Sequence, residues 1–240
     1  MPAPQRSNRA YRNLARIVRP FMTSVTTHAW SGGEHLNQPG GLIVAANHVT
    51  NLDPLTFSHF LYDHGHAPRL LAKASLFDVP VLGRTLRATG QIPVHRGTAT
   101  AVQSLQSAID ALAQGECVAV FPEGTLTREP DLWPMQGKTG VARLALTTRA
   151  PVVPVAQWGA HRVLGRYSKV LKPFPRQLVT VVAGPPVDLS DLYDRPQDAA
   201  VLREATERIM AAITAQLEAI RGERAPAERF VWRRPAEGAA

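Results

Sequence analysis

His48 and Asp53 stand five positions apart in the stretch NHVTNLDP (47–54), and the apolar run GLIVAA (41–46) leads straight into them. A neutral imidazole at the end of a strand takes a proton from a hydroxyl near neutral pH, provided a carboxylate fixes its tautomer and stabilises its charged form. Asp53 is spaced to fold back and supply that carboxylate. Asp-Pro is also a helix N-cap followed by proline at the first helical position. On local grounds alone Asp53 reads as a cap and His48 as an ordinary histidine; a carboxylate at a helix start is able to serve both ends. Two further stretches follow other strand-like runs. GQIPVHRG (90–97) closes on Arg96, and FPEGTLT (121–127) sets Glu123 against Gly124 and Thr125. Glycine after glutamate permits a tight turn, whose backbone N–H groups are able to bind an anion. A plain turn satisfies that stretch equally well. VPV (153–155) reads as core strand.

The elements that must position these residues are legible from hydropathy. LIVAAN (42–47), PRLLAK (68–73), QIPVHR (91–96), CVAVFP (117–122), PVVPVAQW (151–158) and LVTVVAG (178–184) read as strands. Helical spacing is expected over 54–64, 99–114 and 138–149, with a long amphipathic helix over 197–221. Strands alternating with helices define an α/β fold: a mixed, largely parallel central sheet flanked by helices. Residues 8–30 read as a helical arm, with Tyr11, Leu14, Ala15, Val18, Met22 and Val25 on one face and Pro20 expected to kink or divide it. The chain divides into an amphipathic arm (1–34), which reads either as a membrane-associating helix or as one packed on the domain with solvated arginines, a catalytic domain (35–222) and a flexible tail (223–240).

Composition narrows the partner. The 240 residues carry a net charge of +8, and only four of the 27 basic residues are lysine. Arginine favours forked contacts to phosphate or carboxylate, so an anionic partner is expected. The arginines are scattered, and four tryptophans and four tyrosines are few for base stacking, which argues against nucleic acid. The single cysteine, Cys117, excludes an internal disulfide and fits a reducing compartment. No apolar run approaches the roughly 18 residues of a spanning helix, and Arg16, Arg19 and Pro20 interrupt any signal-like stretch.

Taken in order, these stretches resemble the motifs of the glycerolipid acyltransferases over roughly residues 35–185. NHVTNLD fits the asparagine-histidine-four-residues-aspartate motif, GQIPVHR is similar to the second, FPEGT nearly repeats the third, and VPV resembles the fourth. LAKASLF (71–77) is similar to the lysine-bearing segment between the first two, with Ser75 where an acidic residue is commoner. The resemblance implies a short bacterial 1-acylglycerol-3-phosphate acyltransferase. It makes His48 the general base, Asp53 its orienting partner, and Arg96, Glu123, Gly124, Thr125 and Lys73 contacts to the glycerol-phosphate acceptor. It implies acyl-CoA or acyl carrier protein as co-substrate, no cofactor and no metal, and a lysophospholipid acceptor. It also implies a peripheral position on the cytoplasmic face of the membrane, against an anionic surface. The sequence departs from the family where Leu126 and Thr127 replace an arginine and a serine after FPEGT, with Arg128 beyond. Two other classes remain. His48, Asp53, His59, His64 and His66 form a His/Asp-rich stretch that a metal hydrolase would use, although no pair has a recognised zinc spacing. A non-catalytic membrane-binding protein would account for the charge and the arm, but not for the His48/Asp53 pair.

Overall fold

The apolar run before His48 is the middle strand of a seven-stranded sheet. The computed structural model describes residues 7–94 and 101–232. In chain order the elements are α1 (Arg9–Val25), β1 (Thr26–Ser31), β2 (Leu42–Ala46), α2 (Asp53–Asp63), β3 (Arg69–Lys73), α3 (Pro80–Ala88), β4 (Ile92–Val94), α4 (Ala101–Ala113), β5 (Cys117–Val120), α5 (Gly140–Thr148), β6 (Val152–Trp158), α6 (Ala160–Val163), β7 (Gln177–Ala183) and α7 (Ala199–Arg221). The strand order is β1-β7-β6-β2-β5-β3-β4. All pairs are parallel except β6 with β7. This is the expected α/β fold with a mixed, largely parallel sheet and helices on both faces.

The side chains of β2 show why that strand must be central. Every one is buried, and they alternate between two cores. Ile43 and Ala45 join the cluster built by α4, α5 and α7, while Leu42, Val44 and Ala46 join Met22, Val25, Phe57 and Phe60 from α1 and α2. A strand covered on both faces needs no polar face, hence its unbroken apolar sequence. By contrast β7 alternates, burying Val179, Val181 and Ala183.

The reversal between β6 and β7 has a geometric consequence. The C-terminal ends of β2 to β6 lie at one end of the sheet. Because β7 and β1 run the other way, their N-terminal ends lie at that same end. His48, the FPEGT turn, Lys73, the β6–β7 connection and the end of α1 therefore share one end of the molecule.

Two expectations are corrected. The helix expected over 8–30 stops at Val25, and Thr26–Ser31 enters the sheet beside β7. Thr and Trp suit a pleated, half-buried edge, and the parallel partner is some 150 residues away, out of reach of local periodicity. The helix continues through Pro20, and its Tyr11, Ala15, Met22 and Val25 pack inward. The tail is not loose over its described part. The Gln136 amide donates to the Phe230 carbonyl (2.9 Å), Arg229 binds Glu207 and Thr214, and Arg128 lies over the Trp232 ring. Residues 233–240 lie outside the described residues. Helix α3 leaves Val81 and Leu82 exposed and buries only Gly83.

If α1 is part of the core, the face it turns inward must carry its stability. Met22→Ala should cost about 2–5 kcal/mol, as large-to-small core changes do. Ile17→Ala, on the exposed face, should stay within about 0.5 kcal/mol. Urea unfolding of both variants checks this.

Candidate active site

Residues 47–52, between β2 and α2, form a loop held from three sides. Asp53 does not cap α2: its carboxylate turns back onto the loop that precedes it. Oδ2 accepts the backbone N–H of Val49 (2.5 Å) and Thr50 (2.8 Å), and also the ring Nδ1 of His48 at 3.1 Å. A carboxylate accepts only, so Nδ1 carries the proton and Nε2 keeps its lone pair. The two local readings of Asp53 are thus separated. With Pro54 at the helix start and no side-chain cap on α2, the carboxylate is free to organise the histidine.

Glu123 holds the loop from below. The residue is 1% exposed, with Oε1 of its carboxyl accepting the His48 backbone N–H (2.9 Å) and Oε2 that of Met135 (3.1 Å). Sequence reasoning placed Glu123 on the acceptor; in the structure its oxygens engage the backbone of the site. Burial pushes its carboxyl up to about 8, against the lowering pull of the two amides and Thr127 and with a further raising contribution from Asp53. The Thr127 amide donates to the His48 carbonyl (2.7 Å), so both backbone groups of His48 are tied to the FPEGT loop. The His48 ring stacks on Phe121 at 4.0 Å between centroids.

The third side is a buried amide network. Asn47 Nδ2 donates to the Gln157 carbonyl, the Gln157 amide donates to Asn47 Oδ1 (2.8 Å), and Gln157 Nε2 donates to the Asn47 carbonyl. Thr56 donates to Gln157 Oε1 (2.8 Å), closing the network onto α2. Asn47, Phe121 and Gln157 had no assigned role in the sequence. Asn47 is flagged only by standing next to His48, and Gln157, 110 residues away, carries no local signal at all.

The remaining candidates are placed less directly. Gly124 takes φ +72°, with its N–H on the Phe121 carbonyl, as a tight turn requires. The stem of Lys138 lies across that turn, its Cε 3.3 Å from where a Gly124 Cβ would stand. Thr125 is partly exposed in the same turn, and Lys73 is exposed at the end of β3, level with Val94. Arg96 lies outside the described residues. Leu126 is buried, the Thr127 hydroxyl donates to Trp133, and Arg128 is turned onto Tyr167 and Trp232.

Of the His/Asp-rich stretch, Asp53 meets His48, while His59 and His64 pack elsewhere. His59 packs against Trp30 and His28, with Nε2 3.6 Å from Asp63; burial, then His28 and Arg19, pull it down to about 4, so this is a contact of a neutral ring. His64 Nδ1 donates to the Phe60 carbonyl. Among the described residues no three His, Cys, Asp or Glu side chains converge as metal ligands would.

A base–carboxylate pair at the C-terminal ends of a parallel sheet, braced by a buried glutamate turn, defines the class of this protein. The chain belongs to the acyltransferase family, whose model matches residues 29–158. It is 29% identical over 55% of its length to a 1-acyl-sn-glycerol-3-phosphate acyltransferase of Borreliella burgdorferi, covering 51% of that protein. A protein of the same description from Limnanthes douglasii is 29% identical over 67% of the chain, which covers 54% of it. An uncharacterized protein of Mycobacterium leprae is 34% identical over 61% of the chain, which covers 41% of it. The chain thus spans about half the length of the curated relatives it matches. The crystal structure of the 1-acyl-sn-glycerophosphate (LPA) acyltransferase PlsC of Thermotoga maritima shares the fold, with TM-score 0.64 and 23% identity, over 87% of this chain and 80% of that one.

Glu123 makes stability pH-dependent in a defined window. Its folded form keeps the proton up to about 8, whereas the unfolded chain releases it near 4.5. The folded state then binds more protons, so stability falls as pH rises through that interval. His59 works in the opposite sense, but only between about 4 and 6.5. Between about pH 6.5 and 8 the Glu123 contribution therefore stands apart from it. The melting temperature should decline across that window, and Glu123→Gln should flatten the decline whatever its own cost in stability. Scanning calorimetry at a series of pH values checks this.

Proposed function

We propose that this protein moves a fatty acyl group from an acyl thioester, acyl-CoA or acyl-ACP, to a free hydroxyl of a glycerol-phosphate lysolipid. The favoured acceptor is 1-acylglycerol 3-phosphate, giving phosphatidic acid; glycerol 3-phosphate and other lysolipids are the alternatives. The observation that carries the reading is the contact between Asp53 Oδ2 and His48 Nδ1 at 3.1 Å. It leaves Nε2 as the basic nitrogen of a ring clamped through its own backbone.

In this reaction Nε2 takes the proton of the acceptor hydroxyl as that oxygen attacks the thioester carbonyl. Asp53 stabilises the imidazolium that forms. Collapse of the tetrahedral intermediate breaks the C–S bond, and the departing thiolate receives the proton back from His48. Transfer is direct. Cys117 is buried in β5 and burial pushes its thiol up to about 12, so it supplies no thiolate for an acyl-enzyme. Lys138 over the Gly124 turn, Lys73 and Arg96 are the cations we assign to the acceptor phosphate, since Arg128 is engaged elsewhere. Among the described residues no helix is long and apolar enough to cross a membrane. We therefore infer a peripheral protein at the cytoplasmic face, where a lipid acceptor and a cytosolic thioester meet.

His48→Ala should lower turnover about 10²–10⁴-fold in a thiol-release assay while the protein stays folded by circular dichroism. Asp53→Asn should also lower turnover, because the neutral amide oxygen that then accepts from Val49, Thr50 and His48 no longer stabilises the imidazolium by its charge. A near-normal rate in His48→Ala, or an acylated enzyme trapped by mass spectrometry, overturns the mechanism. Arg96→Lys and Lys138→Ala should raise the KM for a phosphorylated acceptor and leave that for the thioester unchanged. Steady-state kinetics over a panel of acceptors measures this and identifies the acceptor.

A further inference from the structure

The face of α1 expected to meet a membrane is occupied. Its inward residues pack on the domain, and Arg19 is paired with Asp63 at 2.6 Å. Ile17 and Phe21 stay exposed on α1, but eight of the thirteen exposed large apolar side chains among the described residues collect at the end of the sheet where His48 lies, in two places on either side of it. On the β3 side the turn into α3 exposes Val79, Val81 and Leu82, with Val81 70% exposed. On the β6 side the connection to β7 exposes Tyr167, Val170 and Phe174, the last two 66% and 75% exposed.

The second of these is a built element. The chain leaves β6, folds back on itself through a bridge between Leu164 and Leu171, and closes with the Lys172 amide on the Val163 carbonyl (2.7 Å). The tip, Gly165–Val170, projects from this short ribbon. Its base is fastened to the active site: Thr50 donates its hydroxyl to the Leu164 carbonyl, and Arg166 donates to the Thr127 and Glu129 carbonyls. Moving the ribbon would move the loops that hold His48. Its charge is one-sided. From Arg162 to Val187 there are five basic residues and no acidic one, with Lys169 and Lys172 exposed beside Val170 and Phe174. The β3 lip carries Arg84 and Arg87 against a single acid, Asp78. Protruding apolar side chains ringed by exposed cations are complementary to an anionic bilayer, which accepts the apolar groups at its headgroup level and attracts the charges.

We propose that the protein docks on an anionic lipid bilayer through these two lips, Val79–Leu82 and Tyr167–Phe174, so that the His48 end of the sheet between them faces the membrane surface. The proposal rests on the lipid-acceptor reading for why a membrane should be met at this end, but its test does not depend on it. A lipid acceptor would then rise between the lips without leaving the bilayer entirely.

The test measures binding to phosphatidylcholine vesicles with and without phosphatidylglycerol. Val170→Asp/Phe174→Asp and Val81→Asp/Leu82→Asp should each lower partitioning onto the anionic vesicles at least about tenfold, since each removes two inserting side chains and adds two negative charges. Ile17→Asp/Phe21→Asp, on the exposed face of α1, should stay within about twofold of the parent. Unchanged circular dichroism and melting confirm that the variants fold. Because the one native thiol, Cys117, is buried, single exposed cysteines label selectively. An environment-sensitive dye at Phe174→Cys or Val81→Cys should shift to the blue on anionic vesicles, and one at Ile17→Cys should not. The reverse pattern, or binding that survives both lip variants, overturns the proposal. Thiol release with a short, water-soluble acceptor keeps the two readings apart. Lip-dependent binding without any turnover would refute acyl transfer and leave the docking surface standing. Turnover with lip-independent binding would do the opposite.

Discussion

One oxygen atom organises this site. Asp53 Oδ2 receives the His48 ring and the amides of Val49 and Thr50 together, so the histidine ring is oriented by the same group that shapes its loop. A charge-assisted hydrogen bond is worth about 1.5–3 kcal/mol net, and burying a carboxylate costs several. Asp53 is 2% exposed, and three donors on one oxygen offset that cost. Tautomer, ring orientation and backbone path are thereby a single equilibrium.

Glu123 solves the complementary problem at greater cost. It sits beneath the loop, holding His48 from the backbone side while reaching Met135 beyond the FPEGT turn. Its raised carboxyl shows that two amide donors do not fully offset its burial. The FPEGT stretch therefore does structural work for a residue 75 positions earlier, while leaving the outer surface of the Gly124 turn to Lys138.

The reversal of β7 and β1 decides what surrounds this centre. Had the sheet stayed parallel to its edge, the chain leaving β6 would have crossed a face in a helix, as parallel connections do. Running antiparallel, it turns back at once and leaves a basic, apolar-tipped ribbon beside the site. The same reversal brings the end of α1 to that end of the molecule.

Much of this was legible from residue order. An unbroken apolar strand such as LIVAA has one comfortable place, the middle of a parallel sheet, and helical periodicity marks α2, α4, α5 and α7 because each buries one stripe. The placement of His48 just past a strand and the five-residue offset of Asp53 are local facts, and local spacing expressed them. The sequence was silent or misleading wherever the partner is distant or the burial is two-sided. Asp53 looked like a cap because capping is judged from its neighbours, whereas its actual partners depend on the path of the loop. Glu123 looked like a ligand contact because nothing in FPEGT reveals that its carboxylate faces inward. Asn47 and Gln157 meet only because β2 and β6 are adjacent, and β1 is a strand only because β7 offers an edge. The amphipathic arm shows the limit best: periodicity says that one face of α1 is apolar, but only the tertiary structure decides whether protein or something else covers it. Sequence encodes which side chains need covering; packing chooses the cover, because that choice depends on contacts summed over residues far apart in the chain.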